Sequence, residues 1–198
     1  MQAGKHVFLD LKLHEIPSSV AAAIQAAGRL GVTTVTVHAS AGSAVLRAAV
    51  AAALPFPQLK VLALTVITSL SDADLPEIGL APSVEAQVAR LATLAVQCGC
   101  HGVVASAQEA AFLSVGLPGG TLIVCPGIQL RQAWATDQVR TATPEAAAKA
   151  GASHIVIGRA ITAAHEPVVA FRAALDTFRH GAALLGEDSR RVCPAQQV

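Results

Sequence analysis

Short runs of aliphatic and β-branched residues alternate along the chain with Ala-rich segments whose apolar positions follow helical spacing. This alternation is typical of βα units, in which helices cover a parallel sheet. Each short run is almost continuously apolar, as expected for a strand that is buried on both faces. The pattern predicts six strands, at residues 7–11, 32–37, 59–66, 102–105, 122–124 and 154–157.

The number of units narrows the choice of architecture. A complete (β/α)8 barrel takes about 250 residues, with 200 near the lower limit, and this chain has 198. We predict the α/β class and an incomplete (β/α)8 barrel of the TIM type, with about six βα units. Because the first strand starts soon after Met1, the two further units of a full barrel are expected before it. An open doubly wound sheet of six strands is the alternative.

A single domain is expected over residues 1–180. Helix starts are predicted at Pro144, which follows Thr143, and at Pro167, because proline is favoured at the first helical position. The helical spacing of apolar residues continues to Phe178 and is then lost. Residues 181–198 are therefore expected to form a loose C-terminal tail.

Composition and charge limit the partners of this domain. With 53% hydrophobic and 14% charged residues, the chain can bury enough apolar surface to fold. A formal net charge of +1 provides no broad field for a polyanion, which argues against nucleic acid and acidic membranes and favours a small ligand. The longest uncharged run, residues 110–130, is interrupted by Gly and Pro and is not expected to span a membrane. The N-terminus shows no secretory or import signal, so we expect a cytoplasmic protein.

The four cysteines form no C-x-x-C motif, and Cys98 and Cys100 lie too close together for the usual zinc or disulfide spacing. We expect free, buried thiols.

The first predicted strand, VFLDLKL, carries the strongest chemical signal. Because side chains alternate between the two faces of a strand, Phe8, Asp10 and Lys12 share one face. The opposite face is formed by Val7, Leu9, Leu11 and Leu13. Charges on a strand covered by helices are costly unless they pair or serve a site. A simple ion pair at the strand end is one interpretation, but a site is favoured, because polar groups at the carboxyl ends of parallel strands gather where ligands bind.

Three other predicted strand ends carry polar residues, namely His38, Thr68 and Ser106. Each residue alone is explained by a turn or a helix cap. Because all three follow predicted parallel strands, they are expected at the same edge of the sheet, which favours a ligand-binding site. The last strand ends in IVIGRAIT, where Gly158 permits close approach of a ligand and Arg159 can bind an oxyanion.

The segment 126–141 is long for a loop without its own structure, which favours a ligand-covering role. Trp134 is interpreted as an anchor of this loop. Its polar candidates are Gln129, Arg131, Asp137 and Gln138.

Seven separated segments together resemble a known family. In chain order they are FLDLKLHEIPSSV, VHASAG, LTVITS, GVVASAQEA, PGIQ, ATDQVRTATPEAAAKAGA and IVIGRAIT. Over roughly residues 6–178 they are similar in order and spacing to orotidine 5'-phosphate decarboxylase. The resemblance implies a (β/α)8 barrel, a homodimer with active sites at the subunit interface, and no metal or organic cofactor. The implied reaction converts orotidine 5'-phosphate to UMP and carbon dioxide in pyrimidine biosynthesis.

The resemblance also implies roles for individual residues. Lys12 matches the proton-donating lysine, Asp10 the carboxylate beside the substrate's own carboxylate, and Glu15 the acid that reaches the partner subunit's site. Loss of carbon dioxide leaves a carbanion on the pyrimidine ring, which an ammonium group would stabilise and then protonate. Ser106 would face the pyrimidine, and Gln138, Gly158 and Arg159 would hold the phosphate. The complete set of implied substrate-binding residues is Thr68, Ser106, Pro126, Gln129, Gln138, Gly158 and Arg159.

The chain departs from the family pattern at three points. The usual D-x-K-x-x-D motif reads D-x-K-x-x-E, so Glu15 is one methylene longer than the expected Asp. Gln129 stands where an arginine that contacts phosphate is typical, with Arg131 nearby. A ribose-binding aspartate and a second lysine, which the family's first two strands supply, have no counterpart. We therefore expect strongly reduced or absent turnover from this chain.

Two other functions stay open at this point. Asp10, His14 and His38 could hold a divalent cation, as in a phosphosugar decarboxylase or epimerase. The segments SAQEA and ATDQ, which resemble pyrimidine nucleotide recognition, argue against that function. Alternatively, the chain binds a phosphate ligand without catalysis, or is a fragment that needs a partner chain.

Overall fold

The computed structural model describes residues 5–130 and 139–191, with side chains described as far as Leu185. Its six strands are all parallel and lie in a single sheet in sequence order. They are β1 (Phe8–Leu13), β2 (Thr34–His38), β3 (Lys60–Leu64), β4 (Gly102–Val104), β5 (Leu122–Cys125) and β6 (His154–Ile155). All six predicted strands are confirmed, with strand ends that differ from the predicted ones by no more than two residues.

The strand order decides between the two predicted architectures. A doubly wound sheet reverses its strand order at a switch point, whereas each strand here pairs with its neighbours in sequence. The sheet is therefore an incomplete (β/α)8 barrel. Within the described ranges, β1 and β6 each have one unpaired edge, so the barrel is open between them.

Helices follow the strands, as the βα pattern predicts. The helices of the described ranges are α1 (Pro17–Arg29), α2 (Ser43–Ala53), α3 (Val84–Gln97), α4 (Ala107–Gly116), α5 (Pro144–Lys149), α6 (Arg159–Thr162) and α7 (Pro167–Arg191). The predicted start at Pro144 is confirmed, and the hydroxyl of Thr143 accepts a hydrogen bond from the Ala146 N–H at 3.2 Å. The predicted start at Pro167 is also confirmed.

The two faces of the sheet bury different sets of side chains. One face packs on the helices and forms the main core, which includes Val35, Val61, Val103 and Ile123. Leu62, Leu64, Val104 and Val124 form a second, smaller cluster. These residues alternate with the first set along the strands, so they lie on the face that turns towards the barrel interior.

The C-terminal segment differs from the expectation. Helix α7 continues to Arg191, so residues 181–191 are helical and do not form the expected loose tail. Within the added turns, Gly181 permits close packing on α5. A Cβ at this position would lie 2.7 Å from the carbonyl oxygen of Glu145 and 2.9 Å from the Cβ of Ala148. Residues 192–198 lie outside the described part of the chain.

The cysteines and the membrane prediction can also be compared with the structure. Cys98, Cys100 and Cys125 are buried free thiols, as predicted, and burial raises the pKa of Cys100 and of Cys125 to about 12. Cys193 lies outside the described residues. In the ranges that the structure covers, no helix combines the length and the hydropathy that crossing a bilayer requires.

Candidate active site

A cavity of about 610 Å³ lies at the carboxyl ends of the strands. Its apolar wall includes Leu64 and Val104, which belong to the inner cluster of the sheet. The charged residues that line it are Asp10, Lys12 and Arg159. A volume in the range of about 300–1,000 Å³ is typical of small-molecule sites. The residues predicted to act at the first and at the last strand therefore share one cavity.

Asp10 and Lys12 form an ion pair through Asp10 Oδ2 and Lys12 Nζ. Their side chains are 42% and 43% exposed, respectively, and both line the cavity. Phe8 lines it as well, which confirms the predicted common face of these three residues. The pair is thus solvated at the cavity wall, where a bound ligand would meet both charges.

Thr36 on β2 fixes this pair from the side of the core. Its buried hydroxyl donates a hydrogen bond to Asp10 Oδ1 at 2.8 Å and accepts one from the backbone N–H of Lys12 at 2.9 Å. Thr36 is not among the site residues predicted from the sequence. The sequence feature that could have indicated it is a polar residue within an otherwise apolar strand. That strand, β2, is adjacent to the one that carries Asp10.

The backbone at Lys12 departs from a regular strand. Its φ of 51° is the only positive value at a non-glycine residue in the described ranges. The pairing of β1 with β2 also shifts register between Leu9 and Leu13. A local bulge of this kind redirects a side chain and is common beside functional sites. Leu11, predicted on the face opposite Asp10 and Lys12, lies within this irregular segment and is 49% exposed.

His14 and His38 lie beside this pair, with ring centroids 5.1 Å apart. Burial lowers the pKa of His38, and the positive charges of His14 and Lys12 lower it further, while Asp10 opposes the shift. Within the described ranges, no three His, Cys, Asp or Glu residues are arranged to hold a metal ion, and this includes Asp10, His14 and His38. The divalent-cation alternative therefore has no geometric support.

The opposite wall of the cavity comes from the ends of β5 and β6. Pro126, Gln129, Gly158 and Arg159 line it, together with Thr68 from the loop after β3. A Cβ added to Gly158 would meet no heavy atom within 4 Å, so its backbone faces open space. Close approach of a ligand to this backbone is possible, as the sequence suggests.

Backbone hydrogen bonds join the two ends of the loop after β5 near the cavity. The N–H of Gln129 donates to the Ala142 carbonyl at 2.9 Å, and the N–H of Ala142 donates to the Gly127 carbonyl at 3.1 Å. Gly127 has a φ of 78°, a conformation that glycine adopts readily. Four of the candidates in this loop, Arg131, Trp134, Asp137 and Gln138, lie outside the described residues.

Two predicted site residues do not line the described cavity. Ser106 is fully buried and caps α4, where its hydroxyl accepts a hydrogen bond from the Gln108 N–H at 3.0 Å. Glu15 is exposed, and its Oε2 accepts a hydrogen bond from the Ile16 N–H at 3.1 Å. Their implied contacts with pyrimidine and with a partner subunit stay predictions.

A buried ion pair behind the cavity was likewise not predicted from the sequence. Arg140 Nη1 lies 2.6 Å from Glu109 Oε1, and the two side chains are only 7% and 6% exposed. Both residues belong to segments singled out above for other reasons, SAQEA and ATDQVR. The opposite charges of the two segments are consistent with an ion pair. Because the residues are 31 positions apart, the sequence alone does not show that they are in contact.

Comparison with known proteins agrees with this geometry. The model of the orotidine 5'-phosphate decarboxylase / HUMPS family matches residues 1–174. Orotidine 5'-phosphate decarboxylase from Chromobacterium violaceum is 47% identical over 171 residues, which cover 86% of this chain and 69% of that protein. The protein of the same name from Idiomarina loihiensis is 48% identical over 168 residues, covering 84% of this chain and 73% of its own length.

A solved structure extends the likeness to the fold. The crystal structure of orotidine 5'-phosphate decarboxylase from Lactobacillus acidophilus superposes with a TM-score of 0.79 and 36% identity. The match covers 89% of this chain and 77% of that one.

We expect the Thr36→Val substitution to destabilise the chain by about 1–3 kcal/mol, because it leaves Asp10 Oδ1 and the Lys12 N–H without a buried partner while it preserves shape. Thr34→Val is the matched control, since Thr34 points to the same face of β2 and its hydroxyl has no hydrogen-bond partner among the described residues. Urea unfolding measures both free energies, and an equal loss in the two variants would contradict the role of Thr36.

Stability is expected to fall as the pH drops below 6.5, the ordinary pKa of histidine. The folded chain holds the pKa of His38 below that value, so the unfolded chain binds more protons in this window. His38→Gln should flatten the dependence of the unfolding free energy between about pH 7 and 5. The control is His154→Gln, at an exposed position that starts β6. If the unfolding free energy of His38→Gln depends on pH as steeply as that of the unaltered chain, His38 is not the group responsible.

Proposed function

Because the chain belongs to the orotidine 5'-phosphate decarboxylase / HUMPS family, we propose that it binds orotidine 5'-phosphate and removes its carboxyl group, giving UMP and carbon dioxide. The observation that carries the proposal is the shared cavity, which has the Asp10–Lys12 pair on one wall and Gly158 with Arg159 on the other. A nucleotide that spans the cavity places a charged group at each wall.

The phosphate binds at the wall formed by the ends of β5 and β6. Arg159 supplies a permanent positive charge there, and the open space at Gly158 lets phosphate oxygens approach the backbone. Gln129 lies at the same wall and offers a neutral hydrogen-bond donor. Gln138 adds a further phosphate contact in this proposal. Binding energy gained here positions the pyrimidine ring at the opposite wall.

The pyrimidine carboxylate then meets Asp10 and Lys12. Repulsion between Asp10 and the substrate carboxylate is present before the reaction and disappears when neutral carbon dioxide leaves, so it lowers the barrier selectively. The bond from the ring carbon to the carboxyl group breaks, and its electron pair stays on the ring carbon. The Lys12 ammonium stabilises this charge and donates a proton to the same carbon. Thr36 holds Asp10 in position throughout.

Further residues contact the substrate around Asp10 and Lys12. Thr68 and Pro126 contact the ring or ribose from the cavity wall, and Ser106 contacts the pyrimidine. The chemistry uses side chains and needs no cofactor. We place the protein in the cytoplasm, in pyrimidine biosynthesis.

We further propose that the chain forms a homodimer in which Glu15 reaches the partner subunit's site. Glu15 is exposed, and Ile16 beside it is 62% exposed, so the end of β1 presents an acid next to apolar surface. Such a surface is suited to contact with a second copy.

Turnover by this chain is expected to be strongly reduced relative to its relatives. Lys12 and Asp10 are the charged groups at the reacting wall of the described cavity, whereas the family resemblance implies a second lysine and a ribose-binding aspartate. A smaller charged network stabilises the carbanion less.

The first test measures carbon dioxide release from orotidine 5'-phosphate in single-turnover experiments with protein in excess. Lys12→Ala should lower the rate by about 10²–10⁴-fold, because the proton donor is removed. Lys60→Ala, at an exposed lysine that starts β3, is the control and should react like the unaltered chain. Binding of UMP without release of carbon dioxide by the unaltered chain would favour a non-catalytic nucleotide-binding protein. Absence of both would refute the proposal.

The second test addresses the phosphate wall. Gly158→Ala places a methyl group in the open space where phosphate oxygens approach, so the Kd for UMP should rise about tenfold. The Kd for uridine, which lacks the phosphate, should not change. Gly119→Ala, which adds its methyl group in open space at the other end of the sheet, is the control. Calorimetry gives the Kd of both ligands for the unaltered chain and the two variants, and equal weakening of UMP and uridine binding would count against a phosphate contact at Gly158.

A further inference from the structure

The buried guanidinium of Arg140 lies where three loops of the candidate site meet. Its Nη2 donates hydrogen bonds to the carbonyls of Val66 at 3.1 Å and Ile67 at 2.8 Å, which follow β3. Its Nη1 pairs with Glu109 of α4, as described above. Arg140 itself belongs to the loop that follows β5. One side chain thus joins the loops after β3, β4 and β5.

Backbone contacts reinforce the same junction. The N–H groups of Val139 and Arg140 donate to the Thr68 carbonyl at 3.1 and 3.3 Å. The second carboxylate oxygen of Glu109 accepts a hydrogen bond from the Ser106 N–H at 2.9 Å. Glu109 is therefore held between Ser106 at the end of β4 and the guanidinium of Arg140.

Two of the loops that Arg140 joins line the cavity, although Arg140 itself does not. Ile67 and Thr68 of the loop after β3 line it directly. The chain that leaves Arg140 reaches the start of the loop after β5 two residues later, where Ala142 pairs with Gly127 and Gln129. The guanidinium therefore sets the distance between the loop after β3 and the loop that carries Gln129.

The chemistry of the pair also argues against a purely stabilising role. A buried ion pair is weak support for stability, because desolvation offsets much of the attraction. Within the described residues, Arg140 Nε is buried and has no hydrogen-bond partner, an additional cost. Three contacts from a planar fork fix an orientation, which a lysine with a single ammonium centre does not reproduce. Such an arrangement is suited to setting loop geometry.

We propose that Arg140, together with Glu109, is a positioning residue that holds the loop after β3 and the loop after β5 at the separation a bound nucleotide requires. The inference rests on the proposed function, since the nucleotide is what contacts both loops. Arg140 itself does not line the cavity and acts through Thr68 and Gln129.

The experiment uses two variants of the full chain. Arg140→Lys keeps the charge opposite Glu109 but loses the fork that reaches Val66 and Ile67. The double variant Arg140→Met/Glu109→Gln leaves no unpaired buried charge, so it guards against loss of the fold in a single variant. The matched control, Glu145→Gln/Lys149→Met, removes an exposed ion pair on α5.

Hydrogen exchange tests the junction without any ligand. In both Arg140 variants, amide exchange should rise about tenfold or more in residues 65–70, 126–130 and 139–143, and stay unchanged in β1 and β2. The control should match the unaltered chain. A uniform rise, which a general loss of stability produces, or no rise at all, overturns the proposal.

Binding of UMP tests the functional consequence. The Kd for UMP should rise about ten- to a hundredfold in both Arg140 variants, because the displaced loops no longer present Thr68 and Gln129 to the nucleotide at the same time. Local exchange that rises while the Kd stays unchanged overturns the positioning role. If the unaltered chain binds no UMP, the proposed function fails and the nucleotide part of this inference fails with it, whereas the exchange result still decides whether Arg140 joins the loops.

Discussion

Parallel pairing of all six strands in sequence order is the constraint on which the site depends. Parallel strands bring their carboxyl ends to one edge of the sheet, and each βα loop begins there. Asp10, Thr68, Gln129 and Arg159 are far apart in sequence, yet the same edge places all of them around one cavity. A different strand order, as in a doubly wound sheet, would distribute them around a switch point instead.

Two ion pairs at this edge have opposite environments and opposite uses. The Asp10–Lys12 pair is solvated at the cavity wall, on a backbone with a positive φ at Lys12, so its charges stay accessible to a ligand. The Glu109–Arg140 pair is buried, and two backbone carbonyls and the Ser106 N–H bond Arg140 Nη2 and the second carboxylate oxygen of Glu109, respectively. The exposed Asp10–Lys12 pair can therefore interact with a ligand, whereas the buried Glu109–Arg140 pair, with its fixed partners, holds the loops in place.

Local sequence patterns gave wrong predictions where the conformation or burial of a residue depends on residues outside the pattern. The helical spacing of apolar residues is lost after Phe178, but Gly181 packs on Glu145 and Ala148 and the helix continues. Leu11 follows the apolar alternation of β1, but the bulge at Lys12 leaves it half exposed. In both cases a contact or a backbone distortion outside the local pattern decided the outcome.

The six strands, the first and last site segments and, through seven separated motifs, the family could all be predicted from the amino-acid sequence. These features follow from periodicity and from short spacings, which are local properties of the chain. Three contacts became visible only in the folded chain: Thr36 holds Asp10, Arg140 reaches Glu109 across 31 positions, and Ser106 is buried as a helix cap. These contacts join separate strands and loops, and no periodicity within one segment records which distant residue will lie beside it.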